Sequence, residues 1–170
     1  HLDTQAHIKI KHNLLLLRQI FLVETAFSKE NIDWITLKGP ALSQYLFGNV
    51  INRQSNDVDI LVRPDDILTT DKLLRKMSFK DQSEVPFHEM NENERKAFLK
   101  LGHEIMYINQ DTKIKLELHW RMSTPAELLP ITPEEAWNNV KYIELSGRRL
   151  PILCDKHLLL YLSSHGAKHL

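Results

Sequence analysis

The stretch RQSNDVDILV, Arg53 to Val62, sets two aspartates one residue apart inside a run of Val, Ile and Leu. Such a run predicts a buried strand, in which successive side chains turn to opposite faces. Asp57, Asp59 and Leu61 then share one face, and Val58, Ile60 and Val62 share the other. Two carboxylates side by side on one strand face repel each other unless a cation or a basic side chain lies between them. The pair therefore asks for positive charge close by.

Working outward, KIKLELHW (Lys113–Trp120) alternates in the same way, with Lys115, Glu117 and His119 on one face and Ile114, Leu116, Leu118 and Trp120 on the other. HEIMYIN (His103–Asn109) precedes it, and Gln110 and Asp111 between the two runs signal a hairpin. Glu117 is thus a third carboxylate on a neighbouring strand. Three carboxylates from two strands form a hard-oxygen cage suited to Mg²⁺, which keeps positions open for water and phosphate. Upstream, LKGPAL (Leu37–Leu42) offers the other half of a phosphate site. Gly39 permits close approach of the backbone, the helix opened by Pro40 presents its N-terminus, and Lys38 carries a point charge. Arg53 either meets a phosphate oxygen or bridges Asp57 or Asp59.

The remaining punctuation yields alternating elements. Ile8 to Phe27 has helical spacing, NIDWITLKGP is a short strand into the glycine turn, and Ala41, Leu42, Tyr45 and Leu46 stripe the next helix up to Gly48. Pro64, Asp65 and Asp66 open another helix. Glu84–Lys100 is polar, part helical and part irregular, a candidate mobile flap. Thr132 caps a short helix, and a second hairpin turns at Ser146 and Gly147. The chain closes on a helix that breaks off at Leu170, as a fragment of a larger protein would. His165 and His169 have metal-compatible helical spacing, but HGAKH lacks the glutamate of the zinc-protease pattern, so the pair is read as structural or as part of a truncated helical region. His119 is either a packed strand histidine or part of the site, and His103, at the start of the strand expected to pair with that of Glu117, is a further candidate.

Composition bounds the function. Over 170 residues, 22 basic and 22 acidic side chains leave no net charge, so general attraction to nucleic acid or to an anionic membrane is not expected. The apolar segment Asn13–Phe27 is interrupted by Arg18 and Glu24, too short and too charged for a membrane span. The single cysteine, Cys154, excludes an internal disulfide and a zinc ribbon and fits a reducing, cytoplasmic setting.

LKGPALSQYLFGNVINRQSNDVDILV, followed by KLELHW, resembles the polymerase-β-type nucleotidyltransferase superfamily: a strand, a glycine turn opening a helix, a strand with Asp-x-Asp, then a further acidic residue on an adjacent strand. More narrowly it is similar to an uncharacterised bacterial nucleotidyltransferase family with a Lys-Gly turn, an Arg upstream of Asn-Asp-x-Asp and an acidic-x-His-Trp strand. The resemblance runs from about Trp34 to Trp120 and implies an α/β (α+β) nucleotidyltransferase fold, a small mixed sheet flanked by helices. It divides the chain into an N-terminal helix (1–30), a catalytic core (31–153) and the start of a C-terminal helical region (154–170). It also implies Mg²⁺ (or Mn²⁺) held by Asp57, Asp59 and Glu117, and an NTP such as ATP steadied by Lys38, Gly39 and Arg53. The acceptor it implies is an unidentified small molecule, protein or tRNA. Pro40 stands where the superfamily has Ser or Gly, and its lost donor and hydroxyl shift phosphate binding onto Lys38 and Arg53. Two other outcomes stay open: a degenerate module that binds nucleotide or a partner without turnover, and an antitoxin-like enzyme that modifies a protein or tRNA.

Overall fold

The computed structural model describes the backbone of residues 2–123 and 129–167 and the side chains of residues 7–123 and 129–164. The His165–His169 pair lies outside the described side chains. In chain order the elements are α1 (Leu2–Lys29), β1 (Trp34–Thr36), α2 (Pro40–Phe47), β2 (Asp57–Val62), α3 (Ile67–Lys76), β3 (Phe79–Asp81), α4 (Glu92–Leu101), β4 (Glu104–Asn109), β5 (Lys115–His119), α5 (Pro133–Asn138), β6 (Val140–Leu145), β7 (Arg148–Leu153) and α6 (Asp155–Ala167). The strands form one seven-stranded mixed sheet in the order β3-β4-β5-β2-β1-β7-β6. β2 pairs in parallel with β5 and β1 with β7, while the other neighbours are antiparallel.

The expected architecture is therefore present, with one strand the sequence did not announce. β3 is three residues long and too short to show a period. Its acidic end organises the loop that follows, where buried Asp81 accepts hydrogen bonds from the Ser83 and Phe87 backbone N–H groups at 2.8 and 2.7 Å. The polar segment beyond is tied down on several sides. Asn91 and Glu94 form a capping box at the start of α4, Arg95 donates to the Phe87 and His88 carbonyls, and the Trp120 indole donates to the Leu99 carbonyl at 2.9 Å.

The alternation read from β2 decides how the sheet is covered. Val58, Ile60 and Val62 face Leu16, Ile20, Val23 and Phe27 of α1, all within the larger core. Each such fully buried side chain contributes at most about 1.5–3 kcal/mol. On the opposite face, Leu61 joins Ile35, Leu37, Leu42, Leu158 and Tyr161 in a second cluster beneath α5 and α6. Asp57 and Asp59 lie on that face too, at the margin of an apolar layer. No described helix is long and apolar enough to cross a membrane.

One buried polar residue of α1 links the core to the approach to β2. Asn13, 1% exposed, donates from Nδ2 to the carbonyls of Val50 and Arg53, each at 3.0 Å, and its Oδ1 faces the Ser55 N–H at 3.5 Å. Ser43 of α2 holds the same loop from the other side, donating to the Asn49 carbonyl and accepting from the Arg53 N–H. Asn13→Leu keeps the volume and strands these backbone groups, so it is expected to cost about 1–3 kcal/mol. Hydrogen exchange should accelerate in residues 50–55, and a stability loss without that acceleration would assign Asn13 to packing alone.

Candidate active site

The parallel pairing of β2 and β5 sets Asp59 directly beside Glu117 and Leu61 beside His119. Antiparallel pairing of β4 with β5 sets Glu104 across from His119. Four acidic side chains and one histidine thus gather on one sheet face. Asp59 is 0% exposed and His119 4% exposed, whereas Asp57 is half-buried at the rim.

The charges are balanced at short range. Lys38 Nζ lies 2.7 Å from Asp59 Oδ1, and His119 Nε2 lies 3.4 Å from the same oxygen and 3.5 Å from Glu117 Oε2. His119 Nδ1 is 3.2 Å from Glu104 Oε2, and His103 Nε2 is 3.4 Å from that oxygen. Asp59 and His119 are both buried, so these close charged contacts, hydrogen bonding and charge attraction together, act where water screens them poorly. Burial alone would push the Asp59 carboxyl up, but His119 and Lys38 outweigh it and hold the group well below the usual carboxylate range. Burial would push the His119 imidazole down, yet Asp59, Glu117 and Glu104 raise it and keep it protonated. Asp57, with no such partner, is pushed up to about 6 by burial and by the charges of Asp59 and Glu117.

Lys38 and Gly39 form the turn between β1 and α2. The Leu37 N–H donates to the Asp59 carbonyl at 3.0 Å, which fixes the start of the turn against β2. Gly39 has φ 87°, a value that L side chains rarely adopt, and a Cβ there would sit 3.5 Å from the Asp57 carbonyl oxygen. The need for glycine is therefore conformational rather than steric. Lys38, Arg53, Ser55, Asn56, Asp57 and Glu117 line a polar cleft of about 320 Å³. Arg53 makes no ion pair with Asp57 or Asp59; its Nη1 is 3.4 Å from Ser55 Oγ. A larger cleft, about 550 Å³, lies between α1, the end of α3 and the β4–β5 turn, and none of these carboxylates reaches it.

Asp59, Glu117 and His119 each offer a ligand atom within 4.8 Å of the others, and the buried Asp59 carboxylate, which already draws in Lys38 and His119, suits a cation. Asp57, two residues before Asp59 on the same strand face, lies half-buried at the rim of this group. Two residues escaped sequence reasoning. Glu104 was legible in principle, because counting back through the hairpin places it opposite His119. Tyr161 on α6 is buried, and its hydroxyl is pushed up first by burial and then by Asp59 and Glu117, which places it beside the cluster; no sequence signal ties α6 to β2.

A family described as uncharacterised nucleotidyltransferase matches residues 1–170. No curated protein matches the chain by sequence. Among solved structures, the lincosamide antibiotic adenylyltransferase LnuA in its lincomycin-bound form superposes with a TM-score of 0.55 at 11% identity, over 84% of this chain and 83% of that one. A nucleotidyltransferase structure from Thermotoga maritima gives 0.53 at 14% identity, over 90% and 86%. The antibiotic-resistance factor ANT(2'')-Ia gives 0.56 at 11% identity, over 92% and 85%. At these identities the likeness is one of fold.

Asp57→Asn keeps the shape and removes one repelling charge. Because the folded carboxyl titrates at about 6 and an unperturbed one at 3.8, the folded protein binds more protons in that window and loses stability as pH rises through it. The metal-free variant is therefore expected to gain about 1 kcal/mol above about pH 6, after allowance for solvent screening, and to lose that advantage towards about pH 4. Denaturant unfolding across this range checks it, and a destabilised variant at high pH would identify Asp57 as an acceptor of structural hydrogen bonds.

Proposed function

Because this chain belongs to the uncharacterised nucleotidyltransferase family that matches it throughout, we propose that it transfers a nucleoside monophosphate from an NTP to a hydroxyl or similar nucleophile of an acceptor. The observation that carries this is the convergence of Asp57, Asp59 and Glu117 on one sheet face beside the glycine turn. The acceptor hydroxyl gives up its proton to solvent, its oxygen forms a bond to the α-phosphorus, the bond from that phosphorus to the oxygen bridging the β-phosphate breaks, and pyrophosphate leaves. Asp57, Asp59 and Glu117, with His119 adjoining, would hold Mg²⁺ or Mn²⁺. When bound, such ions neutralise the triphosphate and lower the pKa of the attacking hydroxyl.

The protein's own residues position and balance charge. The Gly39 turn and the first turn of α2 approach the phosphates, with Pro40 supplying no N–H. Arg53, its backbone gripped by Asn13 and Ser43, reaches into the cleft to meet a phosphate oxygen. Lys38 is the second cation available there. His119, braced by Glu104, keeps Glu117 and Asp59 oriented. Two of the similar structures, LnuA and a crystal structure of ANT(2'')-Ia, were solved with lincomycin and with adenylyl-2''-tobramycin respectively, and a small-molecule hydroxyl is the acceptor class we carry over from them.

The test is incubation of the full-length protein with each NTP, Mg²⁺ or Mn²⁺, and cell extract, followed for pyrophosphate release and labelled product. Asp59→Asn and Glu117→Gln should each reduce transfer by at least about 10²-fold, and Arg53→Ala should weaken NTP binding with the fold intact. Pro40 and the engagement of Lys38 by Asp59 favour one second reading, a nucleotide-binding module without turnover. NTP binding with no pyrophosphate release under any condition would select it, and a mass shift on an extract protein or tRNA would make the acceptor macromolecular.

A further inference from the structure

Lys38 is placed oddly for a residue that only awaits phosphate. It is 8% exposed, and its ammonium sits 2.7 Å from an oxygen of a fully buried carboxylate. The turn's backbone is fixed at this spot, since the preceding residue donates to the Asp59 carbonyl. At the same time Lys38 lines the polar cleft with Arg53, Asp57 and Glu117, so a second seat for its ammonium adjoins the first. Lysine's compact head on a flexible, rotatable stem suits a move between the two.

At 2.7 Å the ammonium holds the near approach to Asp59 Oδ1, while His119 Nε2 stands back from the same oxygen at 3.4 Å, so a divalent ion bound there competes with Lys38. A divalent ion of the Mg²⁺ type approaches a carboxylate oxygen at about 2.0–2.1 Å. With the ammonium still in place, two positive charges would face each other within a few ångströms in a buried site, where their repulsion is poorly screened. His119 does not have to leave, because it also faces Glu117 and Glu104.

We propose that Lys38 is the tethered counter-ion of the metal-free site: its ammonium occupies the Asp59 oxygen a divalent cation needs, and cation binding moves it into the cleft to meet the triphosphate. The proposal rests on Asp59 and Glu117 being the cation's ligands, as in the proposed function. It makes the two bindings mutually reinforcing, since each ligand favours the released position of Lys38 and each must raise the other's affinity by the same factor. If Lys38 holds Asp59 in about nine of ten metal-free molecules, it weakens the apparent metal affinity about tenfold.

Calorimetric titration of the full chain with Mn²⁺ alone, without nucleotide, tests this. Lys38→Met should bind Mn²⁺ about tenfold more tightly than the parent. Equal or weaker binding in the variant overturns the counter-ion role while leaving the metal site standing; no Mn²⁺ binding by either protein overturns both. Should Lys38→Met fail to fold, with Asp59 left short of a partner, a second pair decides the matter. Asp59→Asn frees the lysine and should bind ATP in the presence of chelator several-fold more tightly than the parent. Adding Lys38→Met to Asp59→Asn leaves no buried ion without its partner and should cancel that gain. A gain that survives in the double variant overturns the proposal.

Discussion

A carboxylate with no solvent exposure sits in the middle of a sheet, and the surroundings of Asp59 answer that constraint. Removing the partner of a buried ion typically costs about 3–5 kcal/mol, so the cations near Asp59 belong to the fold as much as to the chemistry. One arrives from the β1–α2 turn as Lys38 and the other from β5 as His119, and Glu104 of β4 steadies the second. Three neighbouring strands and one turn are thereby locked in register by a single anion. Asp57, two residues earlier and at the rim, has no cation held against it, and burial with the charges of Asp59 and Glu117 pushes its carboxyl up to about 6.

The same site depends on groups that never touch it. The loop leading into β2 carries Arg53 at its middle and would be free to wander between α2 and the sheet. Asn13 and Ser43 prevent this through hydrogen bonds to its backbone rather than to its side chains. The position of Arg53 is therefore insensitive to the identity of most loop residues and sensitive to one amide in α1. Since α1 is also the largest contributor of helix side chains to the main core, packing and site geometry are joined through one element.

How much of this was legible depends on the range of each interaction. Alternation in Asp57–Val62 and Lys115–His119 gave the facing of the carboxylates, because a period of two is local and survives any tertiary context. The glycine turn, the Thr132 cap and the Ser146–Gly147 hairpin were legible for the same reason, each being a backbone need met by a neighbouring residue. The pairing of Lys38 with Asp59 was not, since a lysine beside a glycine turn reads equally well as a phosphate ligand. The recruitment of Tyr161 to the cluster was hidden because nothing in α6 refers to β2, and Asn13 was hidden inside an apolar helix run where one amide looks like noise.

The strand order carries a consequence for assembly. β1, which leads into the Lys38 turn, lies between β2 and β7, and its pairing of Thr36 with Ile152 joins distant parts of the chain. Closing so long a loop has an entropic cost that must be met before the contact rewards it, and contacts of this kind slow folding. The β4–β5 hairpin and its pairing with β2 can form while the last hairpin is still unmade. On the ribosome, the acidic half of the site would accordingly be laid down first, and the strand that steadies the glycine turn would take its final neighbour only after β7 had emerged.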